Sequence, residues 1–219
     1  MDPPPSNTGK TFYTFPRRHV TNFLGREEVL QKIDTVLTLD EDTPIVVIRA
    51  LGGQGKSQVA LAYCRQVKRA MKCWSVFWVD ATSEDTLKKD FEAIAQLFKE
   101  PGETINHDQW VDFALEKLEV WSQPWLMVLD GYDDPSSFNI RQYISYGGNG
   151  HILVTSRHAD TDDLTTPNKV VALPGLREDY AVELLLQKSR IKQDEATFED
   201  AKQIVELMGC KVLFTMNPC

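Results

Sequence analysis

Residues 50–57 read Ala50-Leu51-Gly52-Gly53-Gln54-Gly55-Lys56-Ser57 and follow the apolar run Ile45-Val46-Val47-Ile48-Arg49. A strand, a glycine-rich turn and Gly-Lys-Ser, in that order, form the pattern of a phosphate-binding loop. Gly52, Gly53 and Gly55 have no Cβ, so the backbone can take positive φ and come close to an anion. The N–H groups of the turn and of the helix that follows then converge on phosphate oxygens. Lys56 supplies a point charge for the terminal phosphates, and Ser57 a hydroxyl for Mg²⁺. Gln54, inside the turn, and Gln58, directly after Ser57, complete the candidate contact set in this segment. The general pattern G-x-x-x-x-G-K-[ST] has glycine where this chain has Ala50, and alanine fits there without strain only at negative φ. The competing reading is a glycine-rich hairpin with an incidental Lys-Ser pair. The strand before and the helix after favour the loop, since Val59, Tyr63, Val67 and Met71 recur at helical spacing.

Two further strands end in polar chemistry. Pro124-Trp125-Leu126-Met127-Val128-Leu129-Asp130 places a carboxylate at the tip of an apolar run. The Mg²⁺ of a nucleotide needs a hard oxygen at such a position. Alone, a strand ending in aspartate is as readily a turn or a cap; with the loop upstream, Ser57 and Asp130 become the candidate metal ligands. A second acid that would polarise an attacking water is missing, because Gly131 follows Asp130. Asp133 and Asp134 are expected past the turn, capping a helix that begins near Pro135. Gly150-His151-Ile152-Leu153-Val154-Thr155-Ser156-Arg157 ends in a guanidinium, which beside phosphates can register a γ-phosphate. By itself Arg157 reads as a surface arginine paired with an acid; its spacing from Asp130 favours the sensor. Phe23-Leu24-Gly25-Arg26-Glu27 reads as a turn and helix start, with Glu27 and Glu28 near the positive end of the helix dipole. His19, His107, His151 and His158 form no ligand cluster.

The elements that must position these groups alternate along the chain. Helices are expected at Glu27–Leu37, Lys56–Lys72, from Thr82-Ser83-Glu84-Asp85 to about Lys99, from about Asp108 to Trp121, near Pro135–Ile144, and at Glu178–Arg190 and Phe198–Met208. Strands are expected at Ile45–Arg49, Trp74–Val79, Trp125–Leu129, Ile152–Ser156 and about Lys169–Leu173. Alternation of this kind predicts a parallel sheet with helices on both faces and a ligand site at the C-terminal strand ends. The loop, Asp130 and Arg157 all fall at such ends.

The chain has 219 residues, 42% apolar and 26% charged, which describes one globular domain, or one domain and a fragment. A net charge of −8 argues against nonspecific binding to nucleic acid or an anionic membrane. The N-terminus lacks a basic-then-apolar signal segment, and no apolar run reaches membrane-spanning length. Cys64, Cys73, Cys210 and Cys219 show neither metal-ligand spacing nor a paired framework, so a reducing, cytoplasmic compartment is expected.

Four segments together resemble the nucleotide-binding domain of the NB-ARC family, within the STAND class of signalling P-loop NTPases, of the fungal NLR-like type. They are Phe23–Glu27, Ala50–Ser57, Trp125–Asp130 and His151–Arg157, in the family's order. The resemblance spans about residues 20–190. It implies a three-layer α/β/α P-loop NTPase fold with a five-stranded parallel sheet, the Arg157 strand lying between the loop strand and the Asp130 strand. It implies that the backbone of Phe23, Leu24 and Gly25 and the Arg26 side chain hold adenine, and that Asp130 and Arg157 act at the phosphates. It implies ADP or ATP with Mg²⁺ as ligands, a two-state switch, and homo-oligomers only in a full-length form. Expected divisions are a flexible lead over 1–20, the nucleotide-binding domain over 21–192 and the start of a truncated helical subdomain over 193–219. The family would continue past Cys210 with a Leu-Pro-Leu type segment, whereas this chain reads Lys211-Val212-Leu213-Phe214 and ends at Cys219, so an exposed surface near 196–219 is expected. Gly131 predicts weak or no hydrolysis. The alternatives are a phosphotransfer P-loop enzyme, or a remnant interaction protein without nucleotide function.

Overall fold

The computed structural model describes residues 10–16, 25–39, 44–70, 74–147, 149–189 and 195–208. Five strands, β1 (Ile45–Arg49), β2 (Ser75–Asp80), β3 (Trp125–Asp130), β4 (Gly150–Ser156) and β5 (Val170–Ala172), form one sheet in the order β2-β3-β4-β1-β5. Every pairing is parallel. The strand ending next to Arg157 therefore lies between the loop strand and the Asp130 strand, as expected.

The strands read as apolar runs because both faces of the sheet are covered. The two-residue period sends Trp125, Met127 and Leu129 to one face and Leu126 and Val128 to the other. The first face packs on α3 (Glu84–Phe98) and α4 (Trp110–Glu119) through Leu87, Phe91, Ile94, Ala114 and Leu118. The second packs on α1 (Glu27–Leu39) and α2 (Lys56–Ala70) through Ile33, Leu37, Val59, Tyr63 and Val67. Helix α3 starts cleanly because Ser83 and Thr86 form a reciprocal capping box, with Glu84 and Asp85 in the first turn. Two last helices, α5 (Glu178–Ser189) and α6 (Glu195–Leu207), share a small apolar cluster of Ala181, Val182, Leu186, Ala201 and Val205.

Three expectations are corrected. Residues 10–16, read as part of a loosely ordered lead, run along the edge of β2. Tyr13 bridges Val76 in parallel, the Val76 N–H donates to the Phe12 carbonyl at 2.7 Å, and the Thr14 N–H donates to the Val76 carbonyl at 3.0 Å. Phe12 sits among Phe77, Phe98 and Trp121, so apolar burial outweighs the polar composition around it. The segment also covers a sheet edge that would otherwise be open to pairing. The helix expected near Pro135–Ile144 is not α-helical. The Asp134 side chain instead accepts from Ser136 N–H at 3.2 Å and from its hydroxyl at 2.6 Å, making a local turn, and a short 3₁₀ segment follows at Ile140–Tyr143. A 3₁₀ turn at His107–Gln109 likewise precedes α4. Met71, Lys72, Cys73 and 209–219 lie outside the described residues.

Candidate nucleotide-binding site

The loop is built from the end of β1. The Ala50 N–H donates to the Ser156 carbonyl at 3.2 Å, extending the β1–β4 ladder by one rung. Its methyl joins the apolar cluster beneath α2. The position where the general pattern has glycine is thus occupied by a residue just past the end of β1, hydrogen-bonded to β4 and with a buried side chain. Positive φ falls on Gly53 (78°) and Gly55 (85°), while Gly52 is not among the glycines with positive φ. Around Gly55 a side-chain carbon would meet nothing within 4 Å, so the turn opens to free space there. Gln54 braces the turn: its Oε1 accepts from the Leu51 N–H at 2.9 Å and its own N–H donates to the Leu51 carbonyl at 3.4 Å. Lys56 starts α2 and is buried, its Nζ donating to the Ala50 carbonyl at 3.0 Å. Burial lowers the Lys56 pKa, and the nearby Asp133 carboxylate opposes that. Gln58, in the first turn of α2, is half-buried.

The ends of β3 and β4 meet this loop. Ser57 Oγ donates to Asp130 Oδ1 at 2.8 Å, and Thr155 Oγ1 donates to the same oxygen at 2.5 Å. The Gly131 N–H in turn donates to Thr155 Oγ1 at 2.9 Å. Burial pushes the Asp130 carboxyl upward, and the two hydroxyls pull it back. The expected metal pair, Ser57 and Asp130, therefore stands together as two adjacent hard oxygens, a donor set that suits Mg²⁺. Gly131 has φ of 85°, and a Cβ there would lie 2.7 Å from the Thr82 methyl. The absent acid is thus disfavoured by backbone conformation and by space.

Arg157 extends over the loop, its Cδ 3.7 Å and Nη1 3.8 Å from where a Gly52 Cβ would sit. Asp133 holds it there: Oδ1 accepts from the Arg157 backbone N–H and Oδ2 from Nε–H, each at 2.6 Å. Asp133 is therefore an ion-pair partner at the site and not the helix cap expected of it. Arg26 is buried and donates from Nη2 to the Gln54 carbonyl at 3.1 Å, while its buried Nη1 has no hydrogen-bond partner among the described residues. Burial lowers its pKa. Gly25, at φ 67°, lies against the Tyr180 ring at the start of α5. Phe23 and Leu24 lie outside the described residues. The structure thus brings Arg26, Gln54, Lys56, Ser57, Asp130 and Arg157 to one end of the sheet. Sequence reasoning missed Thr155 and Asp133. Thr155 is hidden inside a strand pattern that suits any β-branched residue, and Asp133 within an Asp-Asp pair that mimics a cap.

No protein-family model matches the chain. A curated sequence, the nucleotide-binding leucine-rich repeat (NLR)-like protein of Hyaloscypha variabilis, is 29% identical over 214 residues, covering 88% of this chain. The alignment covers only 21% of that relative's length. Among solved structures, a STAND protein with a tetratricopeptide repeat sensor from Pyrococcus horikoshii superposes with TM-score 0.51 at 16% identity, over 89% of this chain and 29% of its own. Drosophila ORC bound to DNA gives 0.57 at 14% identity, over 83% and 50% of the two chains. Cdc6p from Pyrobaculum aerophilum gives 0.54 at 13%, over 80% and 52%. The fold is that of the P-loop ATPases. The NLR-like relative and the STAND neighbour agree with the STAND resemblance read from the four segments. No described helix is long and apolar enough to cross a membrane.

Proposed function

We propose that this chain is the ADP- and ATP-binding switch module of an NB-ARC (STAND) signalling ATPase, with weak or no hydrolysis. The observation that carries this reading is the meeting of Lys56, Ser57, Asp130 and Arg157 at the C-terminal ends of three parallel strands. Lys56 and Arg157 present cations to a phosphate chain, and the glycine turn lets backbone approach it. Bound Mg²⁺ would neutralise phosphate charge, held by Ser57 and Asp130. Arg26, whose Nη1 beside the loop has no partner among the described residues, is the candidate contact to the rest of the nucleotide, together with Gly25 and the segment at Phe23 and Leu24. Gly131 supports binding over turnover, because it offers no side chain to activate water. The net charge of −8 argues against nonspecific binding of a nucleic-acid strand. Cytoplasmic location and oligomerisation in a longer form belong to the same reading.

Thermal unfolding with Mg²⁺ and ADP, ATP or GTP, beside Lys56→Ala, tests it. A ligand that binds only the folded chain stabilises it by about 2.7 kcal/mol at 100 times its Kd. An adenine-nucleotide shift in the parent that vanishes in Lys56→Ala supports the proposal. A folded parent without any shift moves the interaction-only reading to the front. Rapid ADP release that depends on an acceptor molecule moves phosphotransfer there.

A further inference from the structure

We infer that Asp133 is a positioning residue that aims Arg157 at the third phosphate and so sets the preference between ATP and ADP. The inference rests on the nucleotide reading above and assigns a specific role to a residue that reading leaves unused.

Asp133 engages Arg157 through the two donors nearest the backbone, the main-chain N–H and Nε–H, both at 2.6 Å. A carboxylate at Nε–H sits on the guanidinium edge shared with Nη2 and leaves Nη1, on the Cδ side, turned away from the grip. Nη1 lies 3.8 Å from the Gly52 Cβ position, over the phosphate loop. The same carboxylate opposes the burial that lowers the Lys56 pKa, so Asp133 lies within the field of the site. Arg157 is a long chain whose side chain is 57% exposed, against 23% for Asp133. Without the grip, its rotamers would disperse into solvent, and a phosphate contact would have to order them. Ion pairs this exposed add little to folding stability. The grip therefore shows in ligand discrimination more than in the melting temperature.

The test measures binding of Mg-ADP and of a slowly hydrolysed Mg-ATP analogue to the parent, Asp133→Asn, Arg157→Ala and the double variant, with melting temperatures alongside. The amide of Asp133→Asn offers no ionised oxygen to the Nε–H, so analogue affinity should fall roughly fivefold to tenfold, tenfold being about 1.4 kcal/mol. ADP affinity should stay within about twofold. Arg157→Ala should show the same selective loss, and Asp133→Asn should add nothing to it. Arg157→Lys keeps the charge but has no Nε–H, and should also lose selectivity, which covers the case of a poorly folding Asp133 variant. Equal losses for both nucleotides, unchanged discrimination, or losses that multiply in the double variant would each overturn the inference. A parent that binds neither nucleotide, folded and with Lys56→Ala indistinguishable from it, would instead sink the nucleotide reading and this inference with it.

Discussion

The two ends of β3 and β4 share one sheet but obey different rules. At the N-terminal ends the described side chains serve packing and structural hydrogen bonds. The Trp125 ring lies against Gly150, where a Cβ would come within 2.2 Å of it, and its Nε1–H donates to the Leu118 carbonyl at 3.2 Å. His151 packs against Trp74 with ring centroids 4.3 Å apart and planes tilted by 37°, and burial lowers its pKa. At the C-terminal ends the same strands carry Asp130, Thr155 and Arg157, which bond mainly to each other and to loop residues. One end exchanges polar potential for density. The other keeps a buried carboxylate and paired cations at a cost in desolvation. Strained or costly groups concentrate where chemistry is reserved, so stability and ligand chemistry divide along the strand axis.

The largest effect that would sharpen this contrast is at the packed end. Trp125→Ala should cost about 3–5 kcal/mol of stability, read by denaturant unfolding. Whatever remains folded should still respond to adenine nucleotide; a folded fraction that no longer responds would break the separation of the two ends. Next comes Gly131→Asp, which adds the acid the chain lacks. It forces a side chain to φ of 85° against the Thr82 methyl, so a loss of about 1–3 kcal/mol is expected, with no gain in ATP turnover. A measured rise in hydrolysis would show that the site wants only the missing acid.

Asp130→Asn tests the opposite sign. Burial raises the folded carboxyl above its ordinary value, so the acid form is favoured by folding, and stability is lost as pH rises through the folded value. At pH 7 the variant should unfold at the same temperature as the parent or slightly higher, and the difference should vanish as the pH drops below the ordinary carboxylate range. Its Mg-nucleotide stabilisation should be lost at every pH. A variant much less stable at pH 7 would mean that Asp130 serves the fold and not the site. The smallest effect is expected for Ala50→Gly. It removes one buried methyl and frees the backbone, costing about 1 kcal/mol, and leaves nucleotide affinity unchanged because the Ala50 methyl points into the apolar cluster and its N–H is held by Ser156. A tighter nucleotide complex would show that the alanine hinders the loop.

Much of this site was legible in the chain. Ile45–Arg49 followed by Gly-x-Gly-Lys-Ser, and apolar runs ending in Asp130 and Arg157, carry their own periodicity and chemistry, and they occupy the strand ends foreseen for them. Less legible was the stretch 10–16, whose Phe12 finds a cavity made by residues 65 and more positions away. The region after Asp130 was misread as a cap and helix because Asp-Asp-Pro-Ser suits a helix start locally. Its actual geometry depends on β4, which the local pattern does not contain.

The sequence by itself determined the strand and helix alternation, the glycine-rich turn and the identity of the polar groups at strand ends, because these follow from side-chain period and backbone freedom over a few residues. Only the tertiary structure decided that Asp133 grips Arg157 across 24 residues, that Arg26 reaches the Gln54 carbonyl across 28, and that Ser57 and Thr155 share one oxygen of Asp130. The contacts among Asp133, Arg157, Thr155 and Asp130 exist because the order β2-β3-β4-β1-β5 sets β4 between the loop strand and the aspartate strand. A hydrogen bond extends only about 3 Å, so which distant groups pair is settled by strand order and register and not by spacing along the chain.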